Sequence, residues 1–189
     1  LTQSLKIFFG YLFMAVPPLL IVYYQIKTFD NQFIFKKDYF QFNFLPIKDS
    51  IFQGIKGFLM IIPFVLLVSL IMNLLIENKN GSNPLLEIVL NNNNNFSFAL
   101  LFLTTSFLAP LFEEVIFRGI LLPIISKEFG LVLGIIISAF IFALAHLSIS
   151  EMPPLFVLGI GLGITRLASG RLSSSIIMHS LWNGMTFLN

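Results

Sequence analysis

The sequence predicts an all-α protein, a polytopic bundle of about six transmembrane helices. Hydrophobic residues make up 57% of the 189 residues and charged residues only 11%, whereas about a quarter of a soluble domain is charged. Mean hydropathy is +0.91. Several uncharged runs are long enough to cross a bilayer. In hydrocarbon the backbone must satisfy its own polar groups, so such runs become helices.

Residues 1–95 are predicted to form an N-terminal membrane region with two spans and polar loops. The uncharged runs 7–26 and 57–76 would each cross the membrane at about 1.5 Å per residue. Lys6 precedes the first run as in a signal peptide, but no clear small-residue cleavage site follows. We therefore expect a retained anchor helix. The second loop contains five consecutive asparagines, which is typical of a solvated loop.

Residues 96–189 are predicted to form the functional core. The apolar stretch 96–126 is too long for one perpendicular helix. Pro110 predicts a kink or break in it, because proline lacks an N–H donor and clashes with the preceding turn. The next span is predicted over 131–149. Three predicted turns, which separate the last four spans, lie at 127–130, 150–154 and 170–171.

Basic residues predict the orientation of the bundle. If each apolar segment crosses once, one side carries eight of the eleven Lys and Arg: Lys27, Lys36, Lys37, Lys48, Lys56, Lys127, Arg166 and Arg171. The other side carries Lys6 and Lys79, and Arg118 lies inside a span. Cytoplasmic loops are enriched in Lys and Arg, so the first side is predicted to be cytoplasmic.

Composition also excludes several classes of protein. There is no cysteine, so a cysteine protease, a disulfide framework and a cysteine-ligated metal are excluded. The net charge is only +2, and no basic patch is interleaved with aromatic residues, so no nucleic-acid partner is expected. The expected partners are membrane lipid and a peptide or protein substrate.

Three groups of polar residues interrupt the apolar segments of the second half. They are Glu113 and Glu114 with Arg118, then His146, then His179 with Asn183. A charged side chain at mid-membrane costs roughly 2.5–3.5 kcal/mol on insertion scales. Such side chains are therefore expected to face one another or a water-filled cavity.

Helical spacing predicts how these groups meet. Glu114 and Arg118 are four residues apart, so they share a helix face and can pair. Glu113 points about 100° away and is left to face a cavity. Residues 113 and 146 both lie roughly 25 Å from the turn between their spans, which predicts that Glu113 lies beside His146 in an antiparallel hairpin.

Two chemistries fit this set of side chains. A glutamate beside a histidine can deprotonate a water, and a second histidine with an asparagine amide can stabilise an oxyanion. The predicted catalytic set is therefore Glu113, His146, His179 and Asn183. Glu113, His146 and His179 could instead hold zinc, since His and Glu are ordinary zinc ligands, although no His-Glu-x-x-His is present.

Non-catalytic interpretations also fit. Glu114 and Arg118 could form a structural ion pair, and His146 could be a hydrogen-bonded core residue. His179 and Asn183 could supply interhelical hydrogen bonds. Membrane carboxylates and histidines also build proton relays. A proton or solute carrier, or a bacteriocin-immunity scaffold, is therefore the second functional hypothesis.

The three motifs together carry a resemblance. Glu-Glu-x-x-x-Arg at 113–118, Phe-x-x-x-His at 142–146 and His-x-x-x-Asn at 179–183 occur complete and in this order, each in an apolar segment. This pattern resembles the CPBP family, the CAAX prenyl endopeptidase and bacteriocin-processing membrane proteases, also called Abi. The resemblance covers roughly residues 96–189 and implies an intramembrane endopeptidase with a helical fold.

Residue roles follow from the resemblance by position. It implies that Glu113 activates water with His146 as its partner, and that His179 and Asn183 form the oxyanion site. Glu114 and Arg118 would be supporting residues. Both metal-dependent and metal-independent mechanisms are described for the family. We favour the one without a metal or other cofactor, with zinc as the alternative.

The resemblance and the composition together suggest a setting. The eukaryotic branch of the family trims prenylated C-termini, whereas bacterial members are linked to peptide maturation, bacteriocin self-immunity and surface-protein anchoring. The chain is rich in Phe, Ile, Asn and Lys, whose codons are AT-rich. This favours a multi-pass protein of a bacterial plasma membrane, in which a prenylated substrate is not expected.

Overall fold

A computed structural model describes residues 2–28, 47–76 and 95–188, and this part of the chain forms six helices. They are α1 (Thr2–Thr28), α2 (Ile47–Leu75), α3 (Asn95–Phe129), α4 (Leu131–Leu144), α5 (Met152–Ser169) and α6 (Leu172–Leu188). The predicted all-α fold is confirmed for these residues. Most of both predicted polar loops, and with them Lys36, Lys37 and Lys79, lie outside the described residues. The division into two regions at residue 95 stays a prediction.

Three of the helices, α2, α3 and α5, are long and apolar enough to cross a membrane, and α4 is a shorter apolar helix. The surface of α2 is apolar rather than charged, with Leu59, Met60, Phe64 and Leu67 all exposed. A helix in water would place polar residues on such a face, whereas lipid accommodates apolar ones. The chain is thus a membrane protein, and the number of crossings stays a prediction.

Helix α3 continues through Pro110, so the predicted break is absent. Instead, π-helical turns at Thr104–Leu108 and Val115–Leu121 interrupt its α-helical register. In the first, the N–H of Ala109 donates to the carbonyl of Thr104, five residues back. Proline cannot donate and crowds the preceding turn. The widened π turn accommodates Pro110, which keeps the helix continuous.

The helices pack around a core formed by α2, α4, α5 and α6, while α1 lies against the first part of α3. Glycines permit the closest approaches. A Cβ atom on Gly159 would lie 2.9 Å from the Cβ of Ala139, and one on Gly161 would lie 2.6 Å from Ile61. The absence of a side chain at these two positions therefore lets α5 pack closely on its neighbours. The core side chains are Val65, Phe142, Leu158, Leu162, Met178 and Trp182.

The α3–α4 and α5–α6 turns lie at one end of the bundle. Gly130 and Gly170 make these turns with φ of 85° and 66°, values that favour glycine. Gly170 borders the same pocket as Leu131. The start of α2 lies at this end too, because Asp49 is 3.4 Å from Arg171. These three segments share one side, as the charge analysis assumed.

Candidate active site

The centre of the site is a buried ion pair within α3. Glu114 Oε1 accepts a hydrogen bond from Arg118 Nη1 at 2.8 Å, and both side chains are 0% exposed. The pairing predicted from their spacing is confirmed. The same Oε1 atom lies 3.0 Å from Nδ1 of His179 on α6. One carboxylate therefore joins the first and third sequence motifs.

Arg118 extends this centre to two more helices. Its Nη2 donates to the carbonyl oxygen of Gly159 on α5 at 3.1 Å. Its guanidinium also lies over the ring of Phe142 on α4, 4.4 Å from the ring centroid, a favourable cation–π geometry. Burying a charge is costly unless the charge is paired and hydrogen-bonded. Arg118 meets both conditions, with Glu114 as its ion-pair partner and the Gly159 carbonyl as a further acceptor.

Glu113 faces a different direction from Glu114, as its place on the helix predicted. Its side chain is 20% exposed, and Oε2 lies 3.8 Å from Nε2 of His179. This distance is too long for a direct hydrogen bond. Among the described residues, Glu113 Oε2 has no hydrogen-bond partner. His179 thus lies between two carboxylates, one at each ring nitrogen.

Tyr11 is not among the residues that the sequence predicted for the site. This residue on α1 is partly buried and lies within electrostatic range of Glu113. A tyrosine in an apolar helix is unremarkable in sequence, because its ring suits a membrane environment. Only the packing of α1 on the first part of α3 brings its phenol near the carboxylate, so no local pattern could have indicated it.

His146 is placed differently from the prediction. Helix α4 ends at Leu144 rather than at residue 149, because Leu147 adopts a positive φ of 53° that a helix cannot continue through. His146 lies in the resulting turn and is exposed. Its Nδ1 is 2.8 Å from the carbonyl oxygen of Phe142.

No hydrogen bond or ion pair joins His146 to Glu113 in the described part of the chain; the carboxylate approaches His179 instead. The expected Glu113–His146 contact is therefore not formed directly. Both imidazoles nevertheless contact the Phe142 ring edge to face, with centroids 4.8 Å away for His146 and 5.5 Å for His179. The catalytic role of His146 stays a prediction.

Asn183 lies near His179 on α6 and reaches the first π turn of α3. Its Nδ2 donates to the carbonyl oxygen of Thr105 at 2.9 Å. In π register this carbonyl would accept from the residue five positions on, which is Pro110 and has no N–H. Asn183 therefore satisfies the acceptor that proline leaves without a donor. Its predicted role at an oxyanion stays a prediction.

In the described part of the chain these side chains are not grouped as a metal centre. Within residues 2–28, 47–76 and 95–188, no three His, Asp or Glu side chains are grouped so that they could hold one metal ion. The alternative zinc set of Glu113, His146 and His179 is not gathered, since His146 points to a backbone carbonyl.

The fold and this site define a class: a multi-helix membrane protein with carboxylate, imidazole and guanidinium groups clustered inside its bundle. Residues 95–185 match the family described as type II CAAX prenyl endopeptidase Rce1-like. This match covers the region that contains the three motifs, and it supports the resemblance found in them.

One curated relative is an Escherichia coli protein described as "Uncharacterized 24.3 kDa protein". It is 33% identical over 85 residues, which are 42% of this chain and 39% of that protein. The chain therefore matches less than half the length of this relative. No solved structure matches the chain.

Proposed function

We propose that this chain is an intramembrane endopeptidase that hydrolyses a peptide bond of a membrane-associated protein or peptide, using a water activated by Glu113. The observation that carries the proposal is the approach of Glu113 Oε2 to His179 Nε2, at 3.8 Å, beside the buried Glu114–Arg118 pair. The match of residues 95–185 to the type II CAAX prenyl endopeptidase Rce1-like family supports it.

The two carboxylates are suited to different tasks. Glu114 is 0% exposed, and its Oε1 is engaged by both Arg118 and His179. Glu113 is 20% exposed, and its Oε2 has no partner among the described residues. A water bonded to Glu113 Oε2 at about 2.8 Å could also reach His179 Nε2. Glu113 therefore acts as the base, and Glu114 positions the imidazole.

The reaction balances with one water and one carboxylate. Glu113 removes a proton as the water oxygen bonds to the scissile carbonyl carbon, and the carbonyl electron pair moves onto its oxygen. The oxyanion then re-forms the carbonyl while the C–N bond breaks. Glu113 passes its proton to the leaving amine, so the products are a carboxyl group and an amine. The carboxylate is regenerated after each turnover.

The oxyanion is stabilised by His179 and Asn183. Glu114 accepts a hydrogen bond from Arg118, which favours the ionised carboxylate. An ionised carboxylate can only accept, so His179 donates its Nδ1–H to Glu114. Nε2 of His179 faces Glu113, and when this nitrogen carries a proton its N–H can donate to the oxyanion. Asn183 uses one amide N–H on Thr105 and retains the second. His146, exposed at the α4 turn, would orient the water or the substrate.

The mechanism proposed here uses no metal. The alternative is zinc held by Glu113, His146 and His179, which requires His146 to leave its contact with the Phe142 carbonyl and join the other two side chains. Metal analysis of chelator-treated enzyme separates the two. Peptide cleavage without stoichiometric zinc is the expected result. Loss of cleavage on chelation, with recovery when zinc is added back, would establish the alternative.

The test of Glu113 uses enzyme reconstituted in liposomes with a library of hydrophobic peptides. Glu113→Gln should lower the cleavage rate by about 10²–10⁴-fold, the range of general-base contributions. Glu128→Gln is the matched control, because Glu128 is an exposed carboxylate on the same helix. Cleavage by Glu113→Gln at the wild-type rate would exclude Glu113 as the base.

The same liposomes test the second hypothesis, a proton or solute carrier. Proton or solute flux through the wild-type protein, without peptide cleavage, would favour a carrier.

A further inference from the structure

A second polar feature lies at the end of the bundle that holds the α3–α4 and α5–α6 turns, and it shares Arg118 with the candidate active site. It is a pocket of ≈ 180 Å³, space for on the order of six waters. We call it the arginine pocket. Its walls include Arg118, Arg166 and Ser126, with Leu122, Leu131 and Leu167, and none of its eight lining residues is acidic.

The polar groups of the arginine pocket are suited to an anion. Arg118 is 0% exposed and Arg166 is 5% exposed, so two buried guanidinium groups border one small space. Arg118 Nε and Ser126 Oγ are buried, and neither has a hydrogen-bond partner among the residues that the structure describes. Buried donors are normally satisfied, and an oxygen-rich anion would accept from both.

The position of the pocket indicates which anion. Ser126 is near the end of α3 and Arg166 is in the last turn of α5, so the pocket lies at helix-end depth. Lys127 and Arg171 also lie at this end, each with an acidic neighbour in Glu128 and Asp49, and the distribution of basic residues predicts that this end is cytoplasmic. Basic pockets between transmembrane helices on that side bind anionic lipid headgroups.

We propose that the arginine pocket binds the phosphate of an anionic membrane phospholipid. The phosphate oxygens accept from the Arg166 guanidinium, Ser126 Oγ and Arg118 Nε. The acyl chains leave along the apolar wall of Leu131 and Leu167. Because Arg118 also holds Glu114, a lipid in this pocket contacts the residue that orders the candidate active site. The proposal does not depend on peptidase activity.

Lipid binding can be measured by native mass spectrometry of the purified protein, with phosphatidylglycerol and phosphatidylcholine of identical acyl chains. Wild-type protein should bind phosphatidylglycerol at least ~10-fold more tightly, the scale of one charge-assisted hydrogen bond. Arg166→Gln should reduce this preference to near unity, and Ser126→Ala should reduce it severalfold. Lys127→Gln is the matched control and should retain the preference, because Lys127 is exposed and does not line the pocket.

Several results would overturn the proposal. Equal binding of the two lipids by wild type would do so, as would an unchanged preference in Arg166→Gln. An equal loss in Lys127→Gln would show diffuse attraction instead of a site. If Arg166→Gln does not fold, as judged by its melting temperature, an unchanged preference in Ser126→Ala is sufficient to reject the site.

Competition distinguishes the source of the anion. Inorganic phosphate and a peptide with a free C-terminal carboxylate are each added against phosphatidylglycerol, with the amidated peptide as control. Neither should displace the lipid at millimolar concentration. Displacement by the free-carboxylate peptide alone would make this a peptide site, and displacement by inorganic phosphate would make it a soluble-anion site. Either result would contradict the lipid assignment.

Discussion

The two histidines of the chain occupy contrasting regions. His179 lies in the interior, 2% exposed, with a carboxylate near each ring nitrogen. His146 lies in an exposed turn, where its ring contacts Phe142 and its Nδ1 approaches a carbonyl of the preceding helical turn. Both belong to motifs of the same spacing. The spacing of a motif therefore predicts which residues share a helix face. It does not predict whether a side chain is buried and bonds to other helices, as His179 does, or lies exposed at a helix end, as His146 does.

The largest effect on stability is expected from removing the carboxylate of Glu114, which bonds to the buried His179. Glu114→Ala leaves the Arg118 guanidinium buried without its ion-pair partner. The free energy of unfolding should fall by about 3–5 kcal/mol, measured by denaturant titration in mixed micelles. In a Glu114→Ala/Arg118→Met double variant much of the loss should be recovered, because no uncompensated charge remains. A loss below about 1 kcal/mol for the single variant would mean that the pair behaves like a surface ion pair.

The next effect separates the two nitrogens of His179. Asn in place of this residue keeps an N–H near the Nδ1 position, where it can donate to Glu114, but removes the Nε2 that faces Glu113. His179→Asn should therefore retain most of the stability and lower peptide cleavage by about 10²–10³-fold, the scale for one oxyanion donor. Full activity in this variant would remove Nε2 from the mechanism.

A smaller effect is expected where α6 supports the π turn of α3. Asn183→Ala leaves the Thr105 carbonyl without a donor and should cost about 1–3 kcal/mol of stability. Thr186→Ala is the control one turn along α6, because the Thr186 hydroxyl bonds only carbonyls of its own helix.

Restoring a backbone donor gives a sharper test of this contact. In a Pro110→Ala background residue 110 regains an N–H, so Asn183→Ala should cost less there than in the wild-type background. Equal costs in both backgrounds, measured by the same unfolding titration, would show that proline is not the reason for the contact.

The smallest effect on stability is expected at the exposed His146. His146→Ala should change the free energy of unfolding by less than about 0.5 kcal/mol, as ordinary surface substitutions do. Its proposed catalytic role requires that cleavage still falls, by about tenfold or more, equivalent to ~1.4 kcal/mol of barrier. Wild-type cleavage by a stably folded His146→Ala would restrict the active site to α3 and α6.

Part of this arrangement is readable from the sequence. The i,i+4 spacing of Glu114 and Arg118 predicts their ion pair, and the cost of burying polar groups predicts that His179 meets them. Uncharged runs predict helices, because a membrane leaves the backbone no other partner. These inferences use only helical spacing and the cost of leaving polar groups unpaired in a membrane. The described residues agree with them.

Other features depend on information that is not local. The apolar run through residue 149 contains no signal for the end of α4 at Leu144, which depends on the positive φ of Leu147. Pro110 predicted a kink or break in α3, but a π turn accommodates the proline and the helix continues. The Thr105 carbonyl in this turn accepts a hydrogen bond from Asn183. The closeness of Tyr11 to Glu113, and of Arg166 to Arg118, arises only when distant helices pack.

The central claim is that Glu113 and His179 act on the same water, and a double-mutant cycle on cleavage rates tests it most directly. Glu113→Gln, His179→Asn and the double variant are compared in the same liposomes with one substrate. Residues that act as a unit have strongly non-additive effects. The expected result is a double variant scarcely slower than Glu113→Gln alone. A double variant slowed by the full product of the two single effects would contradict a shared water.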